Sequence, residues 1–179
     1  MTTTLQALRA TRPGVWQASW SAQLVFALMG LLCWATPVHA QIKVTPNSPV
    51  HALQATLLDG QAFDIAKSRG KVVMVFYWST NCSVCLNHMP ELRANLAGWR
   101  NKPFELVTVN VDSKMDDWKT YEQIAAKIEN LRPTAVWAAK SPTTRLPLTL
   151  VLNAKGQVIA RHEGRIAREA WDDVADALP

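Results

Sequence analysis

Apolar positions in this chain come in three recognisable patterns. The continuous apolar run Val72–Trp78 predicts a strand buried on both faces, and Phe104–Val111 the next buried strand. Leu146–Leu152 predicts a third strand, and Asn153-Ala154-Lys155-Gly156 a turn into a returning strand over Gln157–Arg161. Helical spacing sets three further segments: Ser83 to about Trp99, interrupted and kinked at Pro90; Asp116–Leu131, with Trp118, Tyr121, Ile124, Ala125 and Ile128 along one face; and Arg168–Leu178, with Ala170, Trp171, Val174 and Leu178 inward. Upstream, Asp59-Gly60 between short apolar runs in Ala52–Ile65 predicts a hairpin. The order predicts an α/β domain, a mixed central sheet with helices on both faces and an N-terminal β-hairpin.

The first 40 residues follow another pattern. Arg9 and Arg12 precede an unbroken apolar stretch, Leu24–Ala35, and then Thr36-Pro37-Val38-His39-Ala40. Charged, apolar and small-residue regions in that order predict a signal peptide cut after Ala40, and the apolar core is shorter than the ~20 residues a bilayer span needs. An uncleaved N-terminal anchor is the alternative, and the only one that would hold the protein to a membrane. Residues 41–49, with Pro46 and Pro49, form an irregular leader, and residues 50–179 one domain. Export places the domain in the periplasm.

Charge narrows the partners. Lys and Arg number 19 against 14 Asp and Glu, and removal of Arg9 and Arg12 leaves an excess of three. The basic residues are dispersed, so neither a nucleic-acid patch nor a polybasic membrane arm is present.

The chemistry concentrates at Cys82-Ser83-Val84-Cys85, directly after the buried run Val72–Trp78. A cysteine at the start of a helix meets unpaired backbone N–H groups and the positive end of the helix dipole, which favour the thiolate, the attacking form. The pair is therefore read as a redox dithiol. The only other cysteine, Cys33, lies in the targeting segment, so a structural zinc site of four cysteines is excluded within one chain. His88, one turn beyond Cys85, has two readings: it accepts the Cys85 proton or stabilises the Cys82 thiolate, or it is a solvated histidine on an exposed face. Cys82, Cys85 and His88 are also a soft donor set suited to copper(I), which gives the alternative of a copper-binding or metallochaperone module. Trp78, four residues before Cys82, fills the core and also walls the active site; Glu91, just past Pro90, is read as solvated, and His162 as a loop or edge residue.

The stretch Gly70–Cys85, continued by Met89-Pro90-Glu91-Leu92, together with Val107–Asp112 and Leu146–Gly156, resembles the exported thioredoxin-like proteins of the TlpA/ResA group from about residue 50 onward. The resemblance implies a thioredoxin-like fold and thiol-disulfide oxidoreductase activity, with Cys82 as nucleophile, Cys85 as resolving cysteine, a cis peptide bond before Pro147, and Leu146 facing the substrate. It implies protein disulfides as substrates, such as those of apocytochrome c or copper-site assembly proteins. It further implies a membrane thiol donor and no cofactor beyond the redox-active disulfide. Three positions depart from the family pattern. Asn81 stands where Trp is common, Phe76 where an acid or Asn is found, and His88 where Glu is frequent. His88 is thus the one ionisable residue among the replacements.

Overall fold

The computed structural model describes residues 53–179. The expected signal segment and the leader at 41–49 lie outside the described residues. Among those described, no helix is long and apolar enough to cross a membrane.

The chain runs β1 (Ala55–Leu57), β2 (Ala62–Phe63), a 3-10 turn (Ile65–Ser68), β3 (Val72–Trp78), α1 (Ser83–Gly98), β4 (Phe104–Asn110), α2 (Met115–Ile128), β5 (Thr134–Trp137), β6 (Leu148–Leu152), β7 (Val158–Glu163) and α3 (Arg168–Ala177). The described strands form one mixed sheet in the order β2-β1-β5-β4-β3-β6-β7. β3 pairs in parallel with β4 and antiparallel with β6, so it has a hydrogen-bonded neighbour on each side. All seven of its residues are buried, as its unbroken apolar run requires. The hairpin closes through Gly60, whose φ of 86° falls where a Cβ would be strained.

β3–α1–β4 and β4–α2–β5 step across the sheet in the same direction, and right-handed crossovers therefore place α1 and α2 on one face. Leu92 of α1, Trp118 of α2, and Ala170 and Val174 of α3 pack in one cluster with Val72, Met74, Phe76 and Trp78. The alternate residues Val73, Val75 and Tyr77 face the other way. They join Val107, Val109, Val136, Leu148, Leu150 and Leu152, against which Phe63 and Ile65 pack. The sheet is thus flanked by helices, but the three α-helices share one face; on the other, only the 3-10 turn contributes helical residues to this cluster.

Two expectations need correction. β5 is absent from the pattern reading because four residues after Pro133 carry no periodicity; it is a strand through its pairing with β4 and β1. In α2 the buried line is Trp118, Glu122 and Ala125, whereas Ile124 is 58% and Ile128 76% exposed. Glu122 takes the inward position because Arg132 and the Trp118 indole N–H satisfy its carboxylate. Burial still pushes that carboxyl above its usual range, against the opposing pull of Arg132. α1, as expected, runs on through Pro90 to Gly98.

Candidate functional site

β3 delivers the chain to its carboxyl end and α1 carries it back; Cys82 caps the start of α1 and Cys85 lies in its first turn. The Cys82 N–H donates to the Ser79 carbonyl (3.0 Å), and Cys82 is the N-cap of α1, its Sγ accepting from the Cys85 N–H (3.2 Å). Cys82 and Cys85 form a disulfide with Cα atoms 5.2 Å apart. Their environments differ: Cys85 is fully buried among Phe76, Met89 and Leu92, whereas Cys82 is partly exposed. An incoming sulfur can therefore reach Cys82 and not Cys85. At the start of a 16-residue helix, Cys82 also occupies the position where backbone N–H groups and the dipole favour a sulfur anion.

The turn itself is held from below by a residue that sequence reasoning missed. Asp112, 5% exposed, accepts from the Ser79 hydroxyl, from the Thr80 N–H (3.1 Å to Oδ1) and from the Asn110 side-chain amide (3.0 Å). The Asn110 Oδ1 in turn accepts from the Asp112 N–H (2.9 Å), and the Trp137 indole donates to the Asp112 carbonyl (2.9 Å). The available signal was an acid directly after a strand neighbouring the dithiol strand.

His88 is not solvated. It is 6% exposed, and both ring nitrogens are engaged. The Ile166 N–H, which can only donate, meets Nε2 at 3.2 Å; this assigns the proton to Nδ1, which donates to Glu91 (3.1 Å). The second Glu91 oxygen accepts from the Trp171 indole (2.6 Å), so Glu91 is tied in although its side chain stays 44% exposed. His88 and Glu91 thereby clamp α1 to the β7–α3 turn and to α3. Neither nitrogen offers a free lone pair to Cys85 in this state. His162 lies on β7, the edge strand, and contacts Asp173 at 2.8 Å.

The Leu146–Pro147 peptide bond is cis. Leu146 is partly exposed and Pro147 buried; the Pro147 carbonyl accepts from the Gly164 N–H (2.7 Å). The β7–α3 turn thus joins the cis-proline segment at Gly164 and α1 at Ile166. Trp78 has no exposed surface and stacks edge-on against Tyr121, with ring centroids 4.7 Å apart. It fills the core and presents no wall to a substrate.

In this disulfide state Cys82, Cys85 and His88 do not form the donor set of the copper(I) alternative. No group of three His, Cys, Asp or Glu among the described residues could hold a metal ion. The sulfurs are bonded to each other, and His88 directs its nitrogens to Ile166 and Glu91.

Residues 46–169 match the model of the AhpC/TSA family. Among curated proteins, the chain is 18% identical over 123 residues to the thiol-disulfide oxidoreductase ResA of Halalkalibacterium halodurans, covering 68% of this chain and 70% of that protein. Among solved structures it is similar to the thioredoxin domain of a thiol-disulfide oxidoreductase from Bacteroides vulgatus, with a TM-score of 0.63 and 19% identity over 76% of this chain and 99% of that one. A thiol:disulfide interchange protein DsbE from Chlorobium tepidum gives a TM-score of 0.62 at 19% identity, over 74% and 96%. At these identities the structures establish the thioredoxin-like fold.

Proposed function

The chain belongs to the AhpC/TSA family and is a thiol-disulfide oxidoreductase of the TlpA/ResA/DsbE-like kind, and on that premise we propose that it is an exported reductant of protein disulfides. The observation that carries the reading is the asymmetry of the pair: one partly exposed sulfur at a helix N-terminus, bonded to a fully buried one a turn later.

In the reduced protein, the Cys82 thiolate attacks one sulfur of the substrate disulfide. A Cys82–substrate disulfide forms and one substrate thiolate leaves. Cys85 then loses its proton and attacks the Cys82 sulfur, which releases the second substrate thiolate and restores the Cys82–Cys85 disulfide. Two electrons have passed to the substrate, and a thiol donor at the membrane returns them; the sulfurs need no organic cofactor. Leu146 and Pro147 line the approach, where the Leu146 backbone pairs with the incoming chain. His88 is the ionisable group nearest in sequence to Cys85 on α1. To take the Cys85 proton its Nε2 must let go of the Ile166 N–H, so proton transfer would be coupled to movement of the β7–α3 turn. Substrates of the cytochrome c maturation or copper-site assembly type fit an exported reductant, and the segment at 1–40 supports a periplasmic location.

The test is equilibration of the purified protein with glutathione or dithiothreitol, read by alkylation of Cys82. A reduction potential near or below about −270 mV is expected; a value towards about −120 mV would overturn the reducing direction. Cys82→Ser should abolish exchange, whereas Cys85→Ser should accumulate the mixed disulfide, visible by mass spectrometry. A Cys82→Ser variant that keeps full activity would overturn the assignment of the nucleophile.

A further inference from the structure

Asp112 stands outside the exchange chemistry, yet it is the group on which the Cys82 turn rests. Its side chain accepts from Ser79 and Thr80, the two residues that lead from β3 into the turn, and the Ser79 carbonyl in turn accepts the Cys82 N–H. The Ser79 hydroxyl, besides donating to Asp112, accepts the Asn81 N–H (3.1 Å), so one carboxylate organises every residue from 79 to 82 directly or at one remove. Hydrogen bonds satisfy this carboxylate, but nothing neutralises it: among the described residues no Lys, Arg or His nitrogen forms an ion pair with it within 4.0 Å. Its neighbours Ser79, Thr80, Asn110 and Trp137 are all uncharged. A buried charge without a counter-charge acts on its surroundings through a low dielectric and is little screened by salt.

We propose that Asp112 is a positioning residue that anchors the Cys82 turn and makes the dithiol more reducing by opposing a second negative charge at Cys82. Reduction of the disulfide takes up two electrons and one proton and leaves a Cys82 thiolate beside a Cys85 thiol. The helix N-terminus favours that thiolate, and Asp112 works against it. The more the thiolate is disfavoured, the more readily the pair gives its electrons away. This rests on the reading that Cys82 is the exchanging sulfur, and it accounts for a reducing pair whose attacking cysteine nonetheless caps a helix.

The experiment compares the wild-type protein with Asp112→Asn, with near-ultraviolet circular dichroism to confirm the fold. The thiolate absorbance of reduced protein gives the Cys82 ionisation curve, and equilibration with glutathione gives the equilibrium constant for reduction. The variant should ionise at lower pH and show a roughly three- to tenfold larger constant, a rise of about 15–30 mV at ~30 mV per tenfold. A folded variant whose curve and constant both coincide with wild type overturns the proposal. A role confined to holding the turn would slow exchange without moving either quantity. A mutation-free measurement decides the matter if the variant does not fold. In reduced wild-type protein the Asp112 carboxyl carbon resonance should shift with the midpoint of Cys82 ionisation, and its failure to do so overturns the proposal. If instead wild-type Cys82 fails to equilibrate with glutathione at all, it is the exchange reading that falls.

Discussion

Tyr77 shows how one side chain records the sheet around it. It lies on β3 with its ring in the core, 4% exposed, and burial pushes its phenol up to about 12, with the Arg161 charge pulling weakly the other way. Burial also raises Tyr121, the only other tyrosine. The neutral phenol is the form the fold prefers. The unfolded chain ionises near pH ~10, so above that pH the unfolded state binds fewer protons than the folded one, and stability falls as pH rises from 10 towards 12. A spectrophotometric titration should accordingly show no tyrosinate with an ordinary midpoint in the folded protein, and urea unfolding should weaken across that interval. A tyrosine titrating near pH ~10 in folded protein would contradict the burial of Tyr77 or the partial burial of Tyr121.

At the scale of elements, α1 is held at its start and its middle by different means. Its start is fixed by the Asp112-anchored turn and the Cys82 cap, its middle by His88 and Glu91 acting on the β7–α3 turn and α3. His88→Ala removes the acceptor for a buried backbone N–H, which costs about 1–3 kcal/mol if nothing replaces it. The expected result is a lower urea midpoint, together with faster hydrogen exchange at the Ile166 amide than at amides of β3. An unchanged Ile166 exchange rate would show that the clamp is not formed in solution. The same contacts explain why spacing alone left two readings of this histidine: residue 88 follows a cysteine by one turn, but whether that face meets solvent depends on where the β7–α3 turn, 78 residues later, comes to rest.

For the whole molecule, redox state and stability are linked. A pair more reducing than an unstructured dithiol means that the fold favours the disulfide over the two thiols, because the potential and the folding free energies close one thermodynamic cycle. The oxidised protein should therefore resist urea better than the reduced protein. Equal or reversed midpoints would match a disulfide donor, whose reduced form is the stabilised one, and would argue against the reducing direction. The architecture suits such a pair. β3 and the first turns of α1 are enclosed by the sheet and all three α-helices, so the buried Cys85 sits where most of the molecule packs.

Sequence alone determined the order of elements apart from β5, the buried character of β3 and the location of the dithiol, because these depend on local spacing and on residue types that burial on two faces or a helix start demands. The cis bond before Pro147 was also legible, through resemblance. What tertiary structure decided depends on long-range packing. Two same-direction right-handed crossovers put the α-helices on one face, and pairing with β4 and β1 made a strand of Thr134–Trp137. Arg132 allowed Glu122 inward and left Ile124 and Ile128 outside. Asp112, 30 residues beyond Cys82, reached the turn only because β4 lies beside β3. A single chain encodes both sets, but only the first can be read without knowing which segments meet.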